Sequence, residues 1–287
     1  KGPLLDYIQA IFFYIFGVNW QSYVLHASLI NALVTISTFY VLKNFKLKTT
    51  YCFLYSLLFS ILAYPSSGTP FIDHHSALFS LLGVYSLLLA INNQRKLYWA
   101  LIPVFLGFAF LSKQVPATYV ILSTGFILFL YSLVNKKFDC IKYPFISSVS
   151  FVVLILIFGK FQGIPLSSFL DQYILYPQTI GIERLENFNF TFIGVVDHFK
   201  FIYLSIIPLF YVNFEKIFTI KNYIKNNNFY VFLILLFLTL SLIVHQLLTK
   251  NQTFIFFLIP ILTAFSQISL VDSKLKFKKL IYFIIIF

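Results

Sequence analysis

Apolar residues run along most of this chain in long unbroken stretches separated by short polar loops. Continuous runs, without the alternation of a barrel strand, predict helices surrounded by lipid, where every backbone group must be satisfied within the segment. The stretches fall at 22–42, 51–64, 76–91, 97–112, 117–134, 143–159, 201–213, 229–248 and 253–271, and another begins near 280. Several are shorter than the ~20 residues a helix needs to cross the hydrocarbon, so the helices are expected to run into the flanking loops. The pattern predicts an all-α, polytopic integral membrane bundle of about nine complete transmembrane helices plus one truncated. Residues 1–21 read as an interfacial helix, with Trp20 suited to the interface and Asp6 and Gln9, three apart, on one face. Residues 160–200 form the longest polar stretch, too long for a casual connection.

Composition removes the soluble alternative. Only 10% of the 287 residues are charged and 60% are hydrophobic. That is too little charge to cover a water-soluble globule, where roughly 25% is usual, and too much apolar surface for disorder. The chain contains no methionine and stops inside an apolar run, so it reads as an internal piece of a longer protein, one domain spanning 1–287. Cys52 and Cys140 lie far apart and suggest neither a disulfide framework nor a metal site.

Charge then orients the helices. Alternate loops (43–50, 92–96, 135–142, 214–228 and 272–279) carry 15 of the 21 basic residues. The positive-inside rule places these loops in the cytoplasm, in a plasma (inner) membrane. The net charge of +12 is therefore mostly topology, with attraction to anionic lipids, and calls for no nucleic acid. Six of the nine acidic residues and all five histidines fall at the other face, which is where working chemistry is expected.

Four places on that face stand out. Asp73-His74-His75-Ser76 precedes a span. Asp or Ser there would cap the helix, but capping leaves unexplained two histidines at a membrane entrance, where polar groups are costly. One metal would not readily take both imidazoles, since adjacent helical side chains diverge by about 100°; a divalent metal on His74 or His75 stays open, and no other cofactor is indicated. Lys113, in GFAFLSKQVPA, is either a snorkelling lysine or a point charge for a phosphate. Lys1 enters the first helix, and Lys250-Asn251-Gln252 joins two spans with His245 one turn deeper, which reads as structural. Asp171, Glu183, Arg184 and Glu186 read as a solvated loop face.

In this order the four places resemble a known family. KGPLLDYIQAIFFYIFGVNWQS is similar to the K-P-P-L-x-x-x-h-x-A-x-x-x-h-F-G-x-x-x-W element of GT-C membrane glycosyltransferases, in the branch of protein O-mannosyltransferases and lipid A aminoarabinose transferases. GFAFLSKQVPA resembles that branch's G-L-A-x-L-[ST]-K-G-P turn, FIDHHSALFSLLGVYSLLLA its outer-loop Asp followed by a span, and KNQTFIFFLIPILTAF its basic residue before a Pro-containing late helix. The likeness covers 1–134 and about 245–270, with Gly2 in place of the second-position Pro and Lys113-Gln114-Val115-Pro116 in place of K-G-P.

The resemblance implies inverting transfer of a sugar from a polyprenyl-phosphate donor to a lipid-linked glycan, lipid A or a protein on the non-cytoplasmic side. It implies Lys1 and Lys113 at the donor phosphate, Asp73 as a supporting carboxylate with the main one upstream of Lys1, and Asp6, Gln9, His74, His75 and Lys250 lining the cavity. Residues 160–200 would form a lid or acceptor platform. Two rivals remain. A flippase or transporter would gather charge at mid-membrane and show inverted repeats. A surface-polysaccharide ligase or polymerase would carry several arginines on the outer face, where only Arg184 lies.

Overall fold

The structure, a computed structural model, describes residues 2–179, 181, 191–250 and 255–271. All regular elements among them are helical. In chain order these are α1 (Pro3–Phe16), α2 (Trp20–Asn44), α3 (Thr49–Leu62), α4 (Ile72–Asn93), α5 (Lys96–Ser112), α6 (Gln114–Asn135), α7 (Asp139–Phe161), the short α8 (Leu166–Phe169) running into π-helical turns at Leu170–Leu175, a further π-helical turn at Ile193–Asp197, then α9 (Lys200–Thr219), a 3-10 turn at Tyr223–Lys225, α10 (Asn227–Leu248) and α11 (Leu258–Val271).

Among the described residues, each of the nine apolar stretches predicted to span lies largely on a helix, and several helices extend past them as expected. Six helices (α2, α4, α6, α7, α9 and α10) are long and apolar enough to cross a membrane. The other three stretches lie on α3, α5 and α11, which have 14, 17 and 14 described residues. At 1.5 Å per residue those rise about 21–26 Å, short of a ~30 Å hydrocarbon core. The run near 280 lies outside the described residues.

One helix sits in the middle. In α4, 94% of the apolar window is buried, against 6% in α7, whose side chains face outward toward lipid. α4 packs against α2, α5, α6 and α10; α7 lies outside α5 and α6, and α3 and α9 flank α11. Small residues on α4 (Ser76, Ala77, Ser80, Gly83, Ser86 and Ala90) allow its neighbours close, as in membrane bundles generally. A Cβ at Gly83 would lie 2.7 Å from Leu106 of α5.

Hydrogen bonds tie each end of the bundle separately. At one end Asn44 meets Asn92 and Asn93, Lys137 reaches Gln94, and Asn227 donates to the Ile91 carbonyl. The other end gathers the start of α4, the α5–α6 turn, the end of α10, and the histidines.

Candidate functional site

Asp73 is the second residue of α4, where a carboxylate is favoured by the helix dipole. It does not cap: the N-cap position is Phe71, without a side-chain cap bond. Its Oδ1 instead accepts from Lys113 Nζ in an ion pair and from His245 Nε2 at 3.1 Å. His245, read from the sequence as structural, is thus a direct partner of Asp73 across the bundle, and that follows only from α10 packing on α4. The Asp73 side chain is 2% exposed and that of Lys113 is 18% exposed, so the lysine is the more open partner of the pair.

Lys113 sits between α5 and α6 on an extended backbone, φ −159° and ψ 138°. Its turn is held from several directions. Ser76 Oγ of α4 donates to the Lys113 carbonyl at 3.0 Å. Lys113 N–H donates to the Ala109 carbonyl at 3.0 Å. Gly2 packs on the carbonyls of Leu111 and Ser112, so closely that a Cβ there would collide with both oxygens. The glycine that departs from the family's proline is therefore required by this approach. Gly2→Val is expected to destabilise the fold by about 1–3 kcal/mol through overpacking, checked by thermal denaturation in detergent.

A second polar cluster joins α4 to α1 and α2. His26 Nδ1 is 2.8 Å from Gln9 Oε1, and His26 Nε2 is 3.1 Å from His75 Nε2; His75 Nδ1 lies 3.1 Å from the Phe71 carbonyl. Phe12 stacks on the His26 ring with centroids 5.0 Å apart. All three polar side chains are buried. This chain pins α1 to α2 and α4. His26→Ala would leave Gln9 and His75 short of a partner, at a cost of about 1–3 kcal/mol, to be read as a lower unfolding midpoint.

The remaining predicted residues scatter. His74 is buried and turned toward the backbone of Ala63 at the end of α3. Asp6 is exposed although Gln9, three residues on, is buried, so the two do not look onto a common space. Lys250 is exposed at the end of α10, and Asp171 is exposed in the π-helical turns. Lys1, Glu183, Arg184, Glu186, Asn251 and Gln252 lie outside the described residues. Among the described residues no group of three or more His, Cys, Asp or Glu comes together to hold a metal.

A feature absent from the sequence reading lies beside Lys113. A cavity of about 1360 Å³ opens between α1, α5, the end of α7 and residues 162–169. Its walls are apolar, with Leu4, Ile11, Phe108, Leu111, Leu156 and Phe169 among them, and Lys160 and Gln162 add polar groups. Leu111 belongs to this wall and lies two residues before Lys113. The described part of residues 160–200, the longest polar stretch of the sequence, also exposes Ile164, Leu166, Leu175, Tyr176, Phe192 and Ile193.

An all-helical bundle with six helices long and apolar enough to cross a membrane defines a multi-pass membrane protein. Residues 1–159 match the family described as dolichyl-phosphate-mannose-protein mannosyltransferase, and this chain belongs to it. The family is one of membrane glycosyltransferases of the GT-C type. No curated protein and no solved structure matches the chain. The matched residues include Asp73, Lys113, the whole of α1 to α6 and most of α7.

Proposed function

We propose that this chain transfers a sugar from a polyprenyl-phosphate-linked donor to an acceptor on the non-cytoplasmic side of the plasma membrane. The observation that carries this is Lys113, held by Asp73 and two residues along from Leu111 in the wall of the apolar groove. A polyprenyl tail requires an apolar channel. A donor phosphate leaves with added charge, which a nearby ammonium stabilises more in the transition state than before it. An ammonium has three donors, and the Asp73 bond uses one of them.

In this reading the acceptor oxygen attacks the anomeric carbon from the face opposite the phosphate. The carbon–oxygen bond to phosphate breaks, and its electron pair leaves on polyprenyl phosphate. The acceptor proton goes to a carboxylate, which the family resemblance places upstream of Lys1. Asp73 orients Lys113 in support, and Lys1 adds a second cation near the phosphate. Gln9 and His75 fix α1, one wall of the groove, while Asp6, His74 and Lys250 remain cavity-lining proposals. The acceptor is a lipid-linked glycan, lipid A or a protein.

Membrane sidedness is supported by the basic residues of loops 43–50, 92–96 and 135–142, which lie at the end of the bundle opposite Asp73. The flippase alternative asks for charge at mid-membrane. The ion pairs seen among the described residues, those of Asp73 and of Asp197 with Lys200, lie near helix ends.

The test is transfer by the full protein in proteoliposomes, using a labelled polyprenyl-phosphate sugar and a panel of the three acceptor classes. Labelled product with release of polyprenyl phosphate supports the reading. Movement of label between leaflets without product formation would favour the flippase.

A further inference from the structure

The turn that carries Lys113 has one more restraint, from a distant part of the chain. The last four carbonyls of a helix have no partner within it and must find one elsewhere. In α5 these include the Phe110 carbonyl, and the Tyr173 hydroxyl donates to it. On the other side of Lys113, the Gln114 side-chain N–H donates to the Tyr173 carbonyl. Tyr173 therefore bridges the residues that bracket Lys113. It is buried, its ring stacks on Phe169 with centroids 5.2 Å apart, and it meets Phe110 edge-on at 5.7 Å. Burial pushes the phenol up, so the hydroxyl remains a donor throughout the physiological range.

The same segment has a second role in the geometry. Residues 162–166 and Phe169 form a wall of the apolar groove, and Tyr173 follows one helical turn later. The wall and the Lys113 turn are thus joined through one residue, by its hydroxyl on one side and its backbone carbonyl on the other.

We propose that Tyr173 is a positioning residue, a latch that couples filling of the groove by a lipid tail to the placement of the Lys113 ammonium. This rests on the donor reading above. The physical logic is that a tail lying against Phe169 and Leu166 stabilises the wall, and the stabilised wall holds Phe110 and Gln114 in register. Lys113 is then fixed before the phosphate arrives, which reduces the ordering cost of binding. The acidic and basic groups of the loop play no part in this device.

The experiment uses the full chain in detergent or nanodiscs, with Tyr173→Phe, which keeps the ring and removes the hydroxyl, and Gln114→Ala, which releases the opposite side. Hydrogen exchange is read over residues 166–175 with and without polyprenyl phosphate. Donor KM and kcat are read in parallel. Polyprenyl phosphate is expected to slow exchange in the wild type, and both variants are expected to exchange faster. Tyr173→Phe should raise the donor KM about tenfold, the worth of one ordinary hydrogen bond, with kcat within about twofold. In a Lys113→Ala background the Tyr173 effect should vanish, because the latch acts through Lys113.

Unchanged exchange and unchanged KM in Tyr173→Phe would overturn the latch. Faster exchange with an unchanged KM would overturn the coupling. If the wild type neither binds polyprenyl phosphate nor transfers sugar, while exchange still rises in both variants, the contact stands but the coupling falls with the donor reading.

Discussion

Lys113→Ala is expected to lower sugar transfer by about 10²–10³-fold, the usual loss when one charge-stabilising donor is removed from a transition state. The Lys113 side chain is 18% exposed, two residues along from Leu111 in the groove wall, and its backbone is held by Ser76, by its own helix and by Gly2. The variant also leaves Asp73, 2% exposed, with His245 as its remaining ionisable neighbour in the cluster. A drop in activity could therefore come from a damaged fold. The double variant Asp73→Asn, Lys113→Ala separates the causes, because it removes the buried charge together with its partner. If activity stays lost while thermal stability returns toward the wild type, the lysine acts on the donor. Full activity in Lys113→Ala would remove the phosphate role altogether. Lys113→Arg should retain part of the rate, since charge is kept while the bulkier fork fits a different space.

Asp73→Ala is expected to be the most destabilising single change at the site, by about 3–5 kcal/mol, the usual consequence of breaking a buried ion pair. The lower end applies if Lys113 swings into the space it already partly faces. Asp73→Asn should be milder, because a side-chain oxygen still accepts from Lys113 and His245. Denaturation of both variants in detergent, measured beside transfer activity, checks this. Equal stability of Asp73→Ala and wild type would mean that the contacts to Lys113 and His245 add nothing net. The same measurements distinguish orientation from proton transfer. If Asp73 only orients Lys113, Asp73→Asn should retain substantial turnover; if it takes the acceptor proton, the loss should approach that of Lys113→Ala.

Much of this was legible along the chain, and the limits were physical. The apolar runs located helices well, because a helix in lipid needs only continuity of apolar side chains. They leave the number of crossings open, because a run of 14 residues and one of 22 look alike in continuity and differ only in length, and six helices among the described residues are long and apolar enough to cross. Asp73 and Lys113 were picked out separately as polar residues at costly positions. Their direct contact was not legible, since 40 residues separate them. His245 was assigned to structure on its own, because nothing in a single sequence says which helix lies across from it. The 160–200 segment reads as the longest polar stretch, yet its described part also exposes large apolar side chains, and Tyr173 within it reaches back to α5 and α6.

What the sequence determined alone was class and place. Its hydropathy demands lipid, its lysines separate the two ends of the bundle, and its order of motifs points to the family that residues 1–159 match. Those properties are sums over the chain or short local patterns, so they survive without coordinates. The tertiary structure alone decided which residues meet. It made α4 the buried centre, closed Asp73 onto Lys113 and His245, strung Gln9, His26 and His75 together, and left an apolar groove beside the lysine. Each of these depends on helix packing between residues distant in sequence, where burial raises the cost of an unpaired polar group and so selects the partner.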